Sequence, residues 1–247
     1  MTALSLVIIA ATIVASSFLS GVFGIAGGMI LLGVLLVYFD VATAMVMFSI
    51  IQLAANGWRV VLWWRFVIWR IFFLYLAGGI VAFGLMRLIA FVPDKATVYL
   101  LLGLLPYLVE ALPAAARPNI EWRGVPFVTG LLTTAVHFVA GAGGLFLDIF
   151  FQKSALDRKT IVATKSATQT LGHVLRMLYF GTLAGAGEAV PHWTYGVAIV
   201  LAIGGTSLAP LVLDRMSDRG FRRWTRWLIF AVSAVYLVRG GWLTWAG

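Results

Sequence analysis

The sequence predicts an all-α integral membrane protein of two homologous halves, each with four hydrophobic blocks and a broken first block. Three features of the chain predict it. Only 11% of its 247 residues are charged and 62% are hydrophobic, whereas a water-soluble domain is about 25% charged. Its apolar stretches are long enough for helical crossings, which take about 20 residues each. Short motifs recur in the same order at an offset of 116 or 117 residues.

The blocks run near 4–39, 41–64, 66–91, 95–112, 124–151, 158–183, 192–213 and 224–245. Mean hydropathy is +1.01. A strand barrel would show alternating segments of about ten residues, and these blocks do not alternate. The polar linker PAAARPNIEWR, Pro113 to Arg123, divides the chain almost in half. One transmembrane domain over 1–247 is therefore expected, with a first repeat at 1–112, the linker at 113–123 and a second repeat at 124–247.

The first block reads as a retained span. Its apolar run passes residue 30, and the first basic residue is Arg59, unlike the basic start and short core of a signal peptide. There are no cysteines, so disulfide and thiol chemistry are excluded. The formal net charge is +9. Arg215, Arg219, Arg222, Arg223 and Arg226 crowd into one loop and the helix start after it, as the positive-inside rule expects of a cytoplasmic loop. There they face anionic headgroups, and this placement argues against nucleic acid as a partner. Trp63, Trp64, Trp224, Trp227, Trp242 and Trp245 read as interfacial anchors.

The repeat is carried by two pairs of stretches. GIAGGMILLG, Gly24 to Gly33, matches AGAGGLFLDI, Ala140 to Ile149. SIIQLAANGWR, Ser49 to Arg59, matches SATQTLGHVLR, Ser166 to Arg176, with Ser, Gln and Arg recurring and Asn56 opposite His173. The pairs Gly27-Gly28 and Gly143-Gly144 interrupt blocks that are too long to be single spans. Residues 4–39 as one straight helix would measure about 54 Å against a hydrocarbon core of about 30 Å. Glycine permits the backbone to break there. If each broken block still crosses once, the protein has eight spans and parallel repeats. If the chain turns back, it has ten crossings and inverted repeats. Inversion is favoured by analogy, because many transporters combine inverted repeats with broken helices. Both topologies put the two termini outside.

On the helix expected over 158–183, Lys165, Gln169, Gly172, His173 and Arg176 fall within about 100° of one another. A cation at the bilayer centre costs about 2.5–3.5 kcal/mol on insertion scales, so this stripe should face protein or a wet cavity. The competing expectation is snorkelling of Lys165 and Arg176 to opposite headgroup layers. The matching stripe in the first half is Gln52, Asn56 and Arg59. Carboxylates within spans are scarce; Asp148 and Glu110 are the main ones, and Asp148 is a candidate partner for Lys165. Helix starts at Gly28 and Gly144 offer backbone N–H groups to an anion. The inventory suits a small oxyanion, with Lys165, Gln169, Gln52, Gly27, Gly28, Gly143, Gly144, Ser166, His173, Arg176, Asn56 and Arg59 as candidate binding residues. His173, His137 and Asp148 are candidates for proton coupling.

At these residues the chain resembles the sulfite exporter TauE/SafE family. The resemblance rests on GIAGG, on AGAGG, and on ALDRKTIVATKSATQTLGHVLRMLYFG, Ala155 to Gly181. It extends over nearly the whole chain. The family's usual form has a proline several residues after the glycines; Gly33 and Ile149 stand there in this chain. The resemblance implies a multi-pass plasma-membrane protein that exports sulfite or a small organosulfonate. The expected partners are the anion and the bilayer, with a homo-oligomer allowed, and no cofactor or metal is expected.

An ATP-driven pump is disfavoured because no GxxxxGK[ST] loop is present. An enzyme is disfavoured because HExxH is absent and His137, His173 and Asp148 have no metal-ligand spacing. A broader carboxylate carrier and a membrane assembly subunit are the rival expectations; the intramembrane polar stripe counts against the subunit.

Overall fold

A computed structural model describes residues 2–23, 25–141, 143–183, 190–213 and 218–246. Among them the chain forms ten α-helices and no strand: α1 (Ala3–Phe23), α2 (Ile25–Tyr38), α3 (Val41–Trp63), α4 (Trp69–Ile89), α5 (Lys95–Ala111), α6 (Val125–Ala140), α7 (Gly144–Phe151), α8 (Arg158–Leu183), α9 (His192–Leu213) and α10 (Asp218–Ala246). Among the described residues five stretches are long and apolar enough to cross a membrane: Ala3–Val22, Val41–Phe66, Trp69–Ile89, His192–Ala209 and Arg223–Ala246. The protein is an all-α, multi-pass membrane protein. Leu88 and Val238 are 85% and 74% exposed, a density of bare apolar side chain that lipid, not water, must cover.

Two of the eight expected blocks are each divided into two helices. The first break was expected at Gly27-Gly28, but α1 ends at Phe23 and α2 begins at Ile25, so that pair lies in the first turn of α2; Gly24 is outside the described residues. Its neighbours define the geometry. A Cβ on Gly27 would collide with the Ser16 carbonyl oxygen and the Ser20 amide. In a continuous helix residues 16 and 27 would stand about 16 Å apart, so α2 folds back along α1. The second break behaves alike. Gly141 ends α6 in the left-handed region at φ 75°, a conformation that glycine adopts without Cβ strain. A Cβ on Gly143 would lie 2.7 Å from the Thr133 carbonyl oxygen, against about 15 Å in a straight helix.

Helix packing has a pattern. α3 lies on α8 and α5 on α10, while α4 lies on α6 and α1 on α9. Exchanging α1–α5 with α6–α10 in order maps each of these contacts onto another or onto itself. The helix starts repeat as well. Asp40 caps α3 through the Thr43 amide at 3.0 Å, and Asp157 caps α8 through the Thr160 amide at 3.1 Å. These aspartates are 117 residues apart, in an Asp-x-x-Thr signature that satisfies orphan amides of the first turn. Asp94 caps α5 in the same way through Thr97 at 2.8 Å.

The core gathers around α2 and α3. Leu31, Leu32, Leu35 and Leu36 pack with Met45, Phe48 and Ile51, and with Phe138, Tyr179 and Phe180 from the second half. Tyr99 Oη donates to the Gly33 carbonyl at 2.9 Å, and the Tyr236 ring rests where a Gly33 Cβ would be. Gly33 is thus the residue that lets α10 approach α2. Ile149 is buried in a second apolar cluster with Leu147 and Phe150.

Candidate functional site

The polar stripes of α3 and α8 face each other at the centre of the bundle. Gln52, Asn56 and Arg59 are buried on α3, and Ser166, His173 and Arg176 are buried on α8. Arg176 is fully enclosed, so it does not snorkel. Its Nε donates to Ser49 Oγ at 2.8 Å, Nη1 donates to the Gly141 carbonyl, and Nη2 meets His173 Nδ1 at 2.9 Å. A guanidinium only donates; His173 Nδ1 therefore accepts, which leaves the ring proton on Nε2. The guanidinium carbon also stands 4.5 Å from the Phe48 ring centroid, within cation–π range. Three of these contacts, to Ser49, Phe48 and Gly141, tie α8 to α3 and to the turn between α6 and α7.

Arg59 is different. Nη1 donates to Asn56 Oδ1 at 3.3 Å, but among the described residues Nε and Nη2 have no hydrogen-bond partner. Arg59 lines a small, partly open cavity of about 30 Å³ with Gln52, Asn56, Gln169 and His173. Ser20, Met29 and Phe48 line it too, as do His137 and the glycines Gly28, Gly141 and Gly144. Gly28 lies in the first turn of α2 and Gly144 opens α7, so the two short helices direct their N-terminal ends at one space. The Gln52 amide takes up the room beside Gly28: a Cβ there would sit 2.7 Å from its Nε2. Among the described residues no carboxylate lines the cavity.

His137 and His173 lie with ring centroids 5.3 Å apart. The His137 ring packs against Gly143 and Gly172, where a Cβ would come within 2.8 Å and 2.7 Å of it. Among the described residues no three His, Cys, Asp or Glu side chains gather as a metal site.

Of the residues expected from sequence, the cavity brings together Gly28, Gln52, Asn56, Arg59, Gly144, Gln169 and His173, with His137. Lys165 is not in its lining; it forms an ion pair with Asp148. Gly27 and Gly143 sit in the two helix turns, Ser166 is buried beside the cavity residues on α8, and Arg176 stands behind His173. Glu110 pairs with Arg226 at 2.9 Å on the exposed surface. Arg215 lies outside the described residues. The sequence reading missed Ser20, Met29, Phe48 and Gly141. Ser20 had a signal, as part of the small polar run Ser16, Ser17 and Ser20 one turn before the first break; Met29 and Phe48 are apolar and had none.

The fold and site define a multi-pass helical membrane protein with a polar, cation-bearing cavity where two helical turns meet. The chain is a member of the sulfite exporter TauE/SafE family, whose model matches residues 8–236. That family is one of membrane transporters. No curated protein and no solved structure was found to match the chain.

Proposed function

We propose that the protein is a secondary transporter that exports a small sulfur-containing oxyanion, sulfite or an organosulfonate, across the plasma membrane. The two halves are inverted repeats that work by alternating access around the cavity. The single observation that carries this reading is Arg59, a buried guanidinium with two nitrogens that have no partner among the described residues, beside a cavity that no described carboxylate lines. A buried charge left uncompensated is costly, and a bound oxyanion is the chemistry that compensates it. Gln52, Gln169 and Asn56 supply amide donors, and the starts of α2 and α7 supply partial positive charge. The fold-back at both glycine breaks is the broken-helix feature that accompanies inverted repeats in many transporters, and it supports that relation between the halves.

The cavity volume favours a small anion. One water needs about 10–15 Å³, so about 30 Å³ suits an ion of sulfite size. An organosulfonate requires side chains to move apart. The inside-negative potential drives an anion outward by about 2.3 kcal/mol per charge per 100 mV, so export needs no coupling ion. His137 and His173 are the groups available in the cavity for proton coupling, and Asp148 is engaged with Lys165. Lys165, Ser166, Arg176, Gly27 and Gly143 complete the site by holding its helices in place. Purified protein in vesicles under a clamped potential should move sulfite above protein-free vesicles. Absence of both sulfite and sulfonate flux would overturn the reading.

A further inference from the structure

Each half contributes one buried arginine at equivalent repeat positions, and the structure treats the two unequally. Both interact with the side chain three residues earlier: Arg59 with Asn56 at 3.3 Å and Arg176 with His173 at 2.9 Å. Only Arg176 reaches across to the other half, where Nε donates to Ser49 Oγ at 2.8 Å. The repeat equivalent of that bond runs from Arg59 Nε to Ser166 Oγ. It is not made: Arg59 Nε has no partner among the described residues, Ser166 included. The arginine that is held lies outside the cavity lining, and the arginine that is free lies in it.

We infer that Arg59 and Arg176 exchange roles between the two transport states, an inference that rests on the alternating-access reading above. In the state described, Ser49 holds Arg176 back and Arg59 is the anion's guanidinium. In the exchanged state Ser166 holds Arg59 back and Arg176 is the anion's guanidinium. The physical basis is the packing. The helix contacts map onto themselves when the halves are exchanged, so the arrangement of one half is available to the other, and packed interfaces switch between discrete arrangements. The exchange is not neutral in charge. Arg176 stacks on Phe48, whose repeat equivalent is Lys165. Arg59 therefore approaches a cation in the exchanged state, one whose charge Asp148 offsets. States that differ in charge around the anion are states that the anion can bias.

The absence of native cysteines makes the test direct. Ser20→Cys and, separately, Met29→Cys place a thiol in the cavity lining, and a membrane-impermeant maleimide is applied from either side of oriented vesicles. Ser49→Ala removes a charge-assisted bond of the described state, and Ser166→Ala removes its counterpart in the exchanged state. The ratio of labelling from the two sides should move about tenfold in opposite directions for the two variants. Shifts in one direction, or unchanged ratios in vesicles that still carry sulfite, would overturn the exchange alone. No labelling from either side at both probes, with no flux, would overturn the transport reading beneath it.

Discussion

Arg176 Nε donates to Ser49 Oγ at 2.8 Å, joining helices that come from different halves of the chain. With its bonds to Gly141 and His173, this makes Arg176 a fixed part of the scaffold, while Arg59 carries the same charge with two nitrogens unpaired among the described residues. The two arginines should therefore respond oppositely to removal. Arg176→Gln strands buried partners, each at about 1–3 kcal/mol, and should lower stability by about 3 kcal/mol in thermal unfolding in detergent. Arg59→Gln removes an uncompensated buried charge and, without anion present, should leave the midpoint unchanged or raised.

The Lys165–Asp148 pair is partly exposed, with side chains at 21% and 32%. Its contribution should be near 1 kcal/mol, roughly the range of exposed pairs. Lys165→Ala and Asp148→Ala should each cost about that much, and the double variant no more than either, as a double-mutant cycle would register. Charge reversal of both residues, Lys165→Asp with Asp148→Lys, should recover most of the loss.

Three glycines make a graded series. Gly27→Ala drives a Cβ into the Ser16 backbone and should open the α1–α2 turn, at a cost of about 1–3 kcal/mol on the scale of overpacked cores. Gly28→Ala meets only the Gln52 amide at 2.7 Å and the Phe48 ring at ordinary contact distance. It should displace the Gln52 side chain and reduce sulfite flux severalfold with a smaller effect on stability. Gly57 has open space where a Cβ would stand, with nothing within 4 Å, so Gly57→Ala should be neutral or stabilise α3 by about 0.5–1 kcal/mol. Melting midpoints and vesicle flux on the same preparations separate the three outcomes.

At the exposed start of α8, hydrogen bonds from the Thr160 hydroxyl and then the Thr160 amide hold the Asp157 carboxyl below the usual carboxylate range. A depressed folded value means that the cap stabilises at pH above the unfolded value of about 3.9 and is lost as pH falls through the folded one. Asp157→Asn still caps but does not titrate. Its melting midpoint should fall less than that of the parent between about pH 5 and pH 3.

The helices were legible because a bilayer imposes length. Blocks of the right size, and two that were too long, follow from composition alone, and Gly143-Gly144 stands at the observed break between α6 and α7. The inward face of α8 was legible from the 3.6 period that aligns Gln169, His173 and Arg176. Other features were not. Ser49 and Ser166, like Arg59 and Arg176, repeat so closely that nothing along the chain distinguishes the held arginine from the free one; that difference belongs to packing. Lys165 looked as central as Gln169 by helical position. Its neighbour Asp148 lies 17 residues away on another helix, and only the fold brings the two together.

Calorimetric titration of sulfite into the purified protein and into Arg59→Gln tests the anion site most directly. Saturable binding at one site is expected in the parent, with affinity lower by about 10- to 100-fold in the variant, as loss of hydrogen bonds to a charged group requires. Equal affinity in a folded Arg59→Gln protein would contradict this assignment.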